Sequence, residues 1–220
     1  MSETVARVIR ASDCRSMPWK NGGGATTEIA VHPPGAGLAD FEWRVSIATV
    51  ATDGPFSTFP DVDRTLTVLE GDGLRLAIGD ARPVALHKGS DPLSFAADVP
   101  TDARLLGAPV TDLNVMTRRG VWRRTVRRLA LAGTAPRAAE HRTHATTVLW
   151  LCHRGQVDIG GPDGAARLGA LDAWLVEQLP PTAWRIGSEL ATELYLVELE
   201  EPFVSDCGMY GMHKAVAIEK

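Results

Sequence analysis

Hydrophobic and polar residues alternate along short segments of the chain, and glycine or proline interrupts these segments about every ten residues. Segment 41–50 is typical, because Trp43 and Val45 fall on one side of a period of two while Arg44 and Ser46 fall on the other. The segments predicted as strands are 5–10, 25–32, 41–50, 64–69, 73–78, 112–118, 122–131, 147–152, 156–159, 173–176, 184–186 and 193–200. Only segment 135–145 has a pattern that could support a helical turn or two. Short strands at this spacing predict an all-β fold of the sandwich or barrel type.

Two segments of the chain look like copies of one pattern. Segments 66–76 and 148–159 each consist of an apolar strand, a polar turn with glycine and an alternating strand. Their glycines, Gly73 and Gly155, lie 82 positions apart in the 220-residue chain. We therefore predict two similar β-barrels in tandem, residues 1–120 and 121–220, joined near residues 118–130.

Composition excludes several classes of protein. With 45% hydrophobic residues and a formal net charge of −4, the chain is globular and has no overall attraction for nucleic acid or an anionic membrane. No apolar run approaches the ~18 residues of a membrane span. The 3 cysteines form neither a CxxC pair nor a Cys/His cluster, which favours reduced thiols and a cytoplasmic protein.

Segment 17–30 carries three successive glycines after Trp19, Lys20 and Asn21. It is not a phosphate-binding loop, because it lacks the Gly-Lys-Ser/Thr ending and leads into a strand pattern. Two interpretations remain. The exposed amides beside Lys20 and Asn21 could hold an anion, or the segment is a bulged turn that opens a strand, which the pattern alone favours.

Polar residues on alternating faces are the candidates for ligand binding. Arg44 and Arg64 lie within predicted strands, and an arginine that points inward must meet a carboxylate or a phosphate. Segment 112–118 places Asp112, Asn114, Met116 and Arg118 on one face. Each of these residues could instead be an ordinary core or surface residue.

Metal and nucleophile signatures are weak. Among 6 histidines only His141 and His144 stand close together, and an i, i+3 pair faces one ion only if it is helical. Without a nearby third ligand we expect no metal and no other cofactor.

The segment 118–128 contains six arginines. A nucleic-acid partner is not favoured, because the chain is acidic overall and lacks a helix-turn-helix or zinc-finger pattern. We expect this segment to connect the two barrels with its arginines solvated or paired to acidic residues. The alternative is a docking site for an acidic protein partner.

Several of these stretches resemble the HutD/Ves family, which is named after bacterial histidine utilisation. The matching stretches are Pro-Trp-Lys-Asn-Gly-Gly-Gly at 18–24, Trp-Arg-Val-Ser-Ile-Ala at 43–48, Asp-Gly-Pro-Phe-Ser-Thr-Phe-Pro at 53–60, Asp-Arg-Thr-Leu-Thr-Val-Leu-Glu-Gly at 63–71 and Asp-Leu-Asn-Val-Met-Thr-Arg-Arg at 112–119. The resemblance implies a bicupin, with two cupin-type (RmlC-like jelly-roll) β-barrels, that helps to control histidine catabolism by sensing a small intermediate. Urocanate and formylglutamate, both carboxylates, are the implied ligands, and the family has no established catalytic activity.

Together these patterns lead to one hypothesis: the N-terminal barrel binds a small carboxylate and does not transform it. In this hypothesis Arg44 and Arg64 clamp the carboxylate, while polar and apolar neighbours complete the pocket: Lys20, Asn21, Ser46 and Asn114 as polar contacts, and Trp19, Phe56 and Met116 as apolar walls. The three tryptophans Trp150, Trp174 and Trp184 are large enough to fill the second barrel, and the sequence leaves open whether that barrel keeps a cavity.

Two rival functions stay open. One is a cupin-type enzyme, an isomerase, a lyase or a metal-dependent enzyme, in which Glu28 and Lys20 exchange protons. The other is a protein-interaction module. A homodimer is compatible with each of these functions.

Overall fold

The computed structural model describes residues 4–20, 22–132, 139–161 and 164–201, and their regular structure is almost entirely β. The strands are β1 (Val5–Ile9), β2 (Ser16–Pro18), β3 (Gly24–His32), β4 (Trp43–Val50), β5 (Gly54–Pro55), β6 (Val62–Glu70), β7 (Leu74–Ile78), β8 (Val84–Leu86), β9 (Leu93–Ala96), β10 (Thr101–Leu105), β11 (Val110–Arg118), β12 (Arg123–Leu131), β13 (Ala139–Thr143), β14 (Thr147–Arg154), β15 (Val157–Gly161), β16 (Gly164–Leu168), β17 (Ala173–Glu177), β18 (Thr182–Gly187) and β19 (Thr192–Glu200). A single 3₁₀ turn, Ala11–Asp13, is the helical structure among the described residues. The all-β prediction is therefore confirmed, and each predicted strand segment lies on an observed strand.

The helical turn predicted at 135–145 is wrong where the structure describes it. Residues 139–143 form β13, and residues 133–138 lie outside the described part of the chain. Strand β13 pairs with β18 along its whole length, so cross-strand hydrogen bonds decide its conformation against a weak local preference.

The strands of the described residues form four sheets that stack in layers. The outer N sheet has the strand order β5-β10-β7-β8, and the inner N sheet has the order β2-β3-β4-β11-β6-β9. The inner C sheet has the order β1-β17-β14-β19-β12, and the outer C sheet has the order β13-β18-β15-β16. The two inner sheets pack on each other through side chains such as Trp43, Val45 and Tyr195. Both inner sheets are consequently buried on both faces.

The pairing order in strands β4 to β11 repeats in strands β12 to β19. Every pairing in the first set, such as β6 with β11 and β7 with β10, has a counterpart eight strands later. Gly73 and Gly155 lie at equivalent turns with φ of 121° and 83°. The sequence pattern suggests a hairpin at each of these turns, and the structure does not have one. Strands β6 and β7 belong to different sheets, and so do β14 and β15. The internal repeat seen in the sequence is thus a repeat of topology.

Three strands lie outside the repeated unit. Strands β2 and β3 extend the inner N sheet, whereas β1 pairs with β17 and joins the inner C sheet. Residues 5–9, which the predicted unit 1–120 includes, therefore pair with a sheet of the second half. Pairing with the exposed edge of β17 outweighs closeness in sequence.

The interiors of the two halves differ in chemistry. Between the C sheets, tryptophan rings pack edge to face, with Trp184 centred 5.8 Å from Trp150 and 5.3 Å from Trp174. These rings belong to the buried core of the second half. Between the N sheets, apolar residues share the interior with a row of charged and polar side chains. No helix within the described ranges is long and apolar enough to cross a membrane.

Candidate ligand-binding site

The polar side chains of the N half lie on the face of the inner N sheet that points toward the outer N sheet. Strand register arranges them in three rows across β3, β4, β11 and β6. The rows are Arg44–Met116–Arg64, then Glu28–Ser46–Asn114, then Thr26–Ala48–Asp112. Successive rows are separated by about 7 Å because they are two residues apart along each strand. Arg44, Ser46, Asn114 and Met116 thus lie on the same face of the sheet as Arg64, and their binding of a ligand stays a prediction.

Arg44 is neutralised within the chain. Its side chain is buried, with 5% of the residue exposed, and its Nε donates to Glu28 Oε2 over 2.7 Å. Glu28 lies one row away on the neighbouring strand, which is the diagonal position that a long side chain reaches. The predicted clamp of two free arginines is therefore revised, because one of them already has a carboxylate partner.

Arg64 has no such carboxylate partner among the described residues. It is 4% exposed, and its Nη2 donates to the Ser57 carbonyl oxygen over 3.2 Å and contacts Met116 Sδ at 3.7 Å. Its Nε makes no hydrogen bond to any described residue. The guanidinium carbon lies over three phenylalanine rings, at 5.2 Å from Phe56, 5.6 Å from Phe59 and 5.8 Å from Phe95. Aromatic faces attract the cation but cannot replace hydrogen-bond acceptors.

Acceptor oxygens on the same face are also unpartnered. Ser46 Oγ, Asn114 Oδ1 and Asp112 Oδ1 are buried and make no hydrogen bond within the described structure. Most buried polar groups in proteins are hydrogen-bonded, and each exception calls for a physical reason. Together with Arg64 Nε, these atoms in three adjacent rows indicate a place where a ligand or ordered water supplies the missing partners.

Asp112 and Arg64 influence each other electrostatically. Burial raises the pKa of the Asp112 carboxyl to about 7, and the positive charge of Arg64 opposes this rise. Burial likewise lowers the pKa of Arg64 to about 10, with Asp112 opposing and Arg44 reinforcing the change. A buried carboxyl that titrates near neutrality is a recognised mark of functional sites.

Trp19 closes the end of the interior near the third row. Its Nε1 donates to Thr26 Oγ1 over 2.8 Å, and its ring lies against Gly24, where a Cβ atom would be 3.0 Å from the ring. Lys20 on the same loop is exposed, so the structure does not bring it into the buried cluster. Asn21 lies outside the described residues.

Two residues of this cluster, Glu28 and Asp112, are not among the predicted ligand-binding residues. The sequence suggests Glu28 only as a proton-transfer group, and it places Asp112 on the face of Asn114 and Met116 without indicating a role for it. The signal for Asp112 is present, because it shares the alternation that identifies Asn114 and Met116. The Glu28–Arg44 pair has no signal in either strand alone, since it depends on how β3 and β4 align.

The histidine pair considered for a metal is not arranged for one. His141 lies in β13 and contacts Glu198 at 3.1 Å, and His144 is an exposed residue beyond the strand. An extended chain directs side chains i and i+3 to opposite faces, so the helical geometry that the pair needs is missing. The described ranges contain no group of three or more His, Cys, Asp and Glu side chains placed to hold a metal ion.

The arginine-rich segment is largely paired within the chain. Arg119 donates to Asp63 and to Asp98, each over 3.0 Å. Arg127 donates to Glu198 over 3.2 Å, and Arg128 donates to Glu193 over 2.7 Å. Residues 119–122 connect β11 in the inner N sheet to β12 in the inner C sheet. The segment therefore connects the halves and also forms an edge strand.

Open clefts of the surface lie away from this cluster. A cleft of about 700 Å³ lies on the outer N sheet beside Arg75 and Arg104, and one of about 570 Å³ lies on the outer C sheet beside Arg167. The arginines that line them, Arg75, Arg104 and Arg167, are exposed to solvent and need no ligand to complete their hydrogen bonds. Unpartnered buried atoms, and not open volume, locate the candidate site between the N sheets.

Comparison with known proteins agrees with this fold. A family model described as HutD matches residues 11–193. An uncharacterised 21.2 kDa protein of the hutC 3′ region of Pseudomonas putida is 42% identical over 110 residues, covering 50% of this chain and 57% of that protein. Protein Ves of Cronobacter sakazakii is 42% identical over 119 residues, covering 52% of this chain and 64% of that protein. The match thus spans less than two thirds of the length of these relatives.

Solved structures match over more of the chain. A conserved protein of unknown function from Pseudomonas aeruginosa PAO1 has a TM-score of 0.83 and 32% identity, covering 90% of this chain and all of that one (100%). HutD from Pseudomonas fluorescens SBW25, in a formate condition, has a TM-score of 0.73 and 29% identity, covering 90% of this chain and 99% of that one.

More distant structures show the fold alone. A cupin 2 conserved barrel domain protein from Leptotrichia buccalis has a TM-score of 0.50 at 9% identity, covering 80% of this chain and 88% of that one. The layered all-β architecture is therefore cupin-like. With the family model matching most of its length, the chain belongs to the HutD/Ves family, which is associated with histidine utilisation.

Proposed function

We propose that this chain is a bicupin whose N half binds a small carboxylate without transforming it and thereby modulates histidine utilisation. The observation that carries the proposal is Arg64, a buried guanidinium whose Nε lacks an acceptor among the described residues while three acceptor oxygens nearby lack donors. A buried cation without a counter-ion is costly, and a bound carboxylate would remove that cost.

The ligand carboxylate would lie in the first row, against Arg64. Guanidinium N–H groups form a planar fork that matches the two oxygens of a carboxylate. Met116, between Arg44 and Arg64 in this row, would lie beneath the ligand. An N–H group of the ligand would donate to Asn114 Oδ1 in the second row, where the Ser46 hydroxyl could also donate or accept.

Apolar side chains would enclose the rest of the ligand. Phe56 packs beside the Arg64 guanidinium, and Trp19 closes the other end of the interior above Gly24. Small-ligand sites generally combine such apolar walls with a few polar groups that fix orientation. Urocanate and formylglutamate, each with a carboxylate and an N–H group, are suitable probes of this arrangement.

The two-barrel part of the proposal rests on the repeated topology. Each half contains the same eight-strand pairing order, and an interior lies between its inner and outer sheets. Within the described residues, the first half combines that interior with unpartnered charged groups, whereas tryptophans occupy the second. Ligand binding is accordingly assigned to the first half.

Calorimetric titration with urocanate and formylglutamate tests this function. Arg64→Ala should weaken binding about 10- to 150-fold, which corresponds to the ~1.5–3 kcal/mol of a charged hydrogen bond. Arg64→Lys should also bind more weakly, since it keeps the charge but loses the fork. Arg75→Ala, a change of an exposed arginine on the outer N sheet, is the matched control and should bind like the wild type. Equal affinities for wild type and Arg64→Ala would exclude Arg64 from the site.

One observation favours a second candidate function, an isomerase or lyase that acts on a small carboxylate. Burial raises the pKa of Asp112 to about 7, which suits a general acid or base at neutral pH. Incubation of the protein with each probe, followed by NMR of the solution, tests for turnover. New signals that appear with wild type and not with Asp112→Asn would support the enzyme over the binding protein.

A further inference from the structure

The charges of the buried cluster can be counted from its contacts. Arg44 and Glu28 form an ion pair at 2.7 Å and cancel each other. Arg64 and Asp112 remain, with no salt bridge between them and, within the described structure, an unpartnered atom on each side chain. The cluster is therefore neutral when Asp112 is ionised and carries one positive charge when Asp112 is protonated.

Few other described groups around Asp112 can stabilise its negative charge. Across the interior, the outer N sheet presents Leu74, Leu76 and Ala103, which are buried and apolar. On the same face of its own sheet the charged groups are Arg44, Glu28, Arg64 and, three rows away, Arg118. Of these, Arg64 is the one that acts on the pKa of Asp112. The residue is 1% exposed, so solvent does not screen its charge. The ionised carboxylate is held in place mainly by the field of Arg64.

A ligand carboxylate bound to Arg64 would neutralise the positive charge that stabilises the ionised Asp112. Two buried carboxylates that depend on the positive charge of one guanidinium repel each other, and one of them then becomes protonated. Building on the proposed function, we infer that the site buries a single negative charge and that Asp112 takes up one proton when a ligand carboxylate binds at Arg64. Asp112 thereby acts as a specificity-determining residue: it makes the site selective for monocarboxylates, because a second buried carboxylate would find no cation to balance it.

The expected pH dependence follows from the direction of the pKa change. In the free protein burial raises the pKa of Asp112 to about 7, and the bound carboxylate raises it further. Binding thus takes up nearly one proton at pH 8 and almost none at pH 5.5, where Asp112 is already protonated. Affinity for a carboxylate falls as the pH rises, and it should be about tenfold weaker at pH 8 than at pH 6.

The test uses the full chain and N-formyl-4-aminobutyrate, a monocarboxylate that does not titrate between pH 6 and 8. Titration calorimetry at pH 8 in buffers of different ionisation enthalpy gives the number of protons taken up. Wild type should take up about 0.9 proton per ligand, and Asp112→Asn should take up none and lose the tenfold pH effect. Asp102→Asn, which changes an exposed carboxylate of the outer N sheet, is the matched control and should behave as wild type.

A second comparison tests the single charge. Formylglutamate differs from the first probe by one additional carboxylate, and we expect it to bind at least tenfold more weakly. Tighter binding of the dicarboxylate would overturn the monocarboxylate rule, and uptake of no proton by wild type, or the same uptake by Asp112→Asn, would overturn the role of Asp112. Failure of the proposed function gives a different result: neither of the two compounds nor urocanate produces binding heat with the wild type at any pH. In that case the inference about Asp112 fails together with the proposed function.

Discussion

Nε of Arg44 donates to Glu28 Oε2 across 2.7 Å between neighbouring strands, whereas Nε of Arg64, in the same row of the sheet, has no partner among the described residues. Two arginines that look equivalent in sequence therefore have different roles. The first is balanced within the protein, and the second is left for another acceptor. Met116 separates them, which places their Cα atoms about 10 Å apart across two strand spacings.

Removing the charge of Glu28 should strengthen carboxylate binding and weaken the fold. Glu28→Gln leaves Arg44 without its counter-ion, so the cluster gains one positive charge. We expect carboxylates to bind about tenfold more tightly, since a charge about 10 Å away in a protein interior contributes ~1–2 kcal/mol. The free energy of unfolding should fall by about 1–3 kcal/mol because a buried guanidinium loses its partner. Calorimetry and urea denaturation measure the two effects. The control is Glu140→Gln, which breaks an exposed pair with Arg142 and should change neither.

Replacing Arg64 with an apolar residue should stabilise the protein while it weakens carboxylate binding. Arg64→Met removes a buried cation that has no carboxylate partner among the described residues, and it fills the same space between three phenylalanine rings. The free energy of unfolding should rise by about 1–2 kcal/mol, as is common when buried charges are replaced by hydrocarbon. Urea denaturation at pH 7 measures it. A loss of stability relative to wild type would show that Arg64 has a structural role.

Stability should depend on pH through Asp112. Burial raises the pKa of its carboxyl to about 7 in the folded protein, compared with about 3.9 in an unfolded chain. The folded state therefore binds this proton more tightly than the unfolded state. The contribution of the protonated Asp112 to the free energy of unfolding is fully present below about pH 3.9 and is lost as the pH rises through about 7. The full loss is about 4 kcal/mol by linkage. Asp112→Asn should remove this pH dependence and be more stable than wild type at pH 8. Denaturation curves at pH 5, 7 and 8 for both proteins check it, and parallel pH profiles would contradict it.

Glycine is required at the turn that crosses between the C sheets. A Cβ atom on Gly155 would lie 2.7 Å from the Ala191 carbonyl oxygen, and its φ of 83° is in the left-handed region. Gly155→Ala should lower the free energy of unfolding by roughly 2–4 kcal/mol, from backbone strain and overpacking together. Gly120 has a φ of 79°, and a Cβ atom added to it would meet no atom within 4 Å, so Gly120→Ala should cost only the strain, about 1–2 kcal/mol. Equal losses in thermal denaturation would mean that the close approach at residue 155 is relieved by movement.

The alternation in segments 41–50 and 112–118 is sufficient to place Arg44, Ser46, Asn114 and Met116 on one face. That inference succeeds because side-chain direction in a strand depends only on position in the chain. It does not extend to Lys20, which follows no period in its loop and is exposed. The pattern also misses short strands such as β5 and β8, because two or three residues form a strand only when a neighbouring strand pairs with them.

Local pattern along the chain is enough to predict the all-β class, the faces of the main strands, the repeated unit and the family resemblance. The packing of the folded chain sets the rest: which sheets are buried on both faces, that β1 pairs in the second half, and that Glu28 contacts Arg44 while no acid of the described ranges bonds to Arg64. Those outcomes depend on the register between strands far apart in the chain. Register results from packing of the whole sheet, and no single segment encodes it.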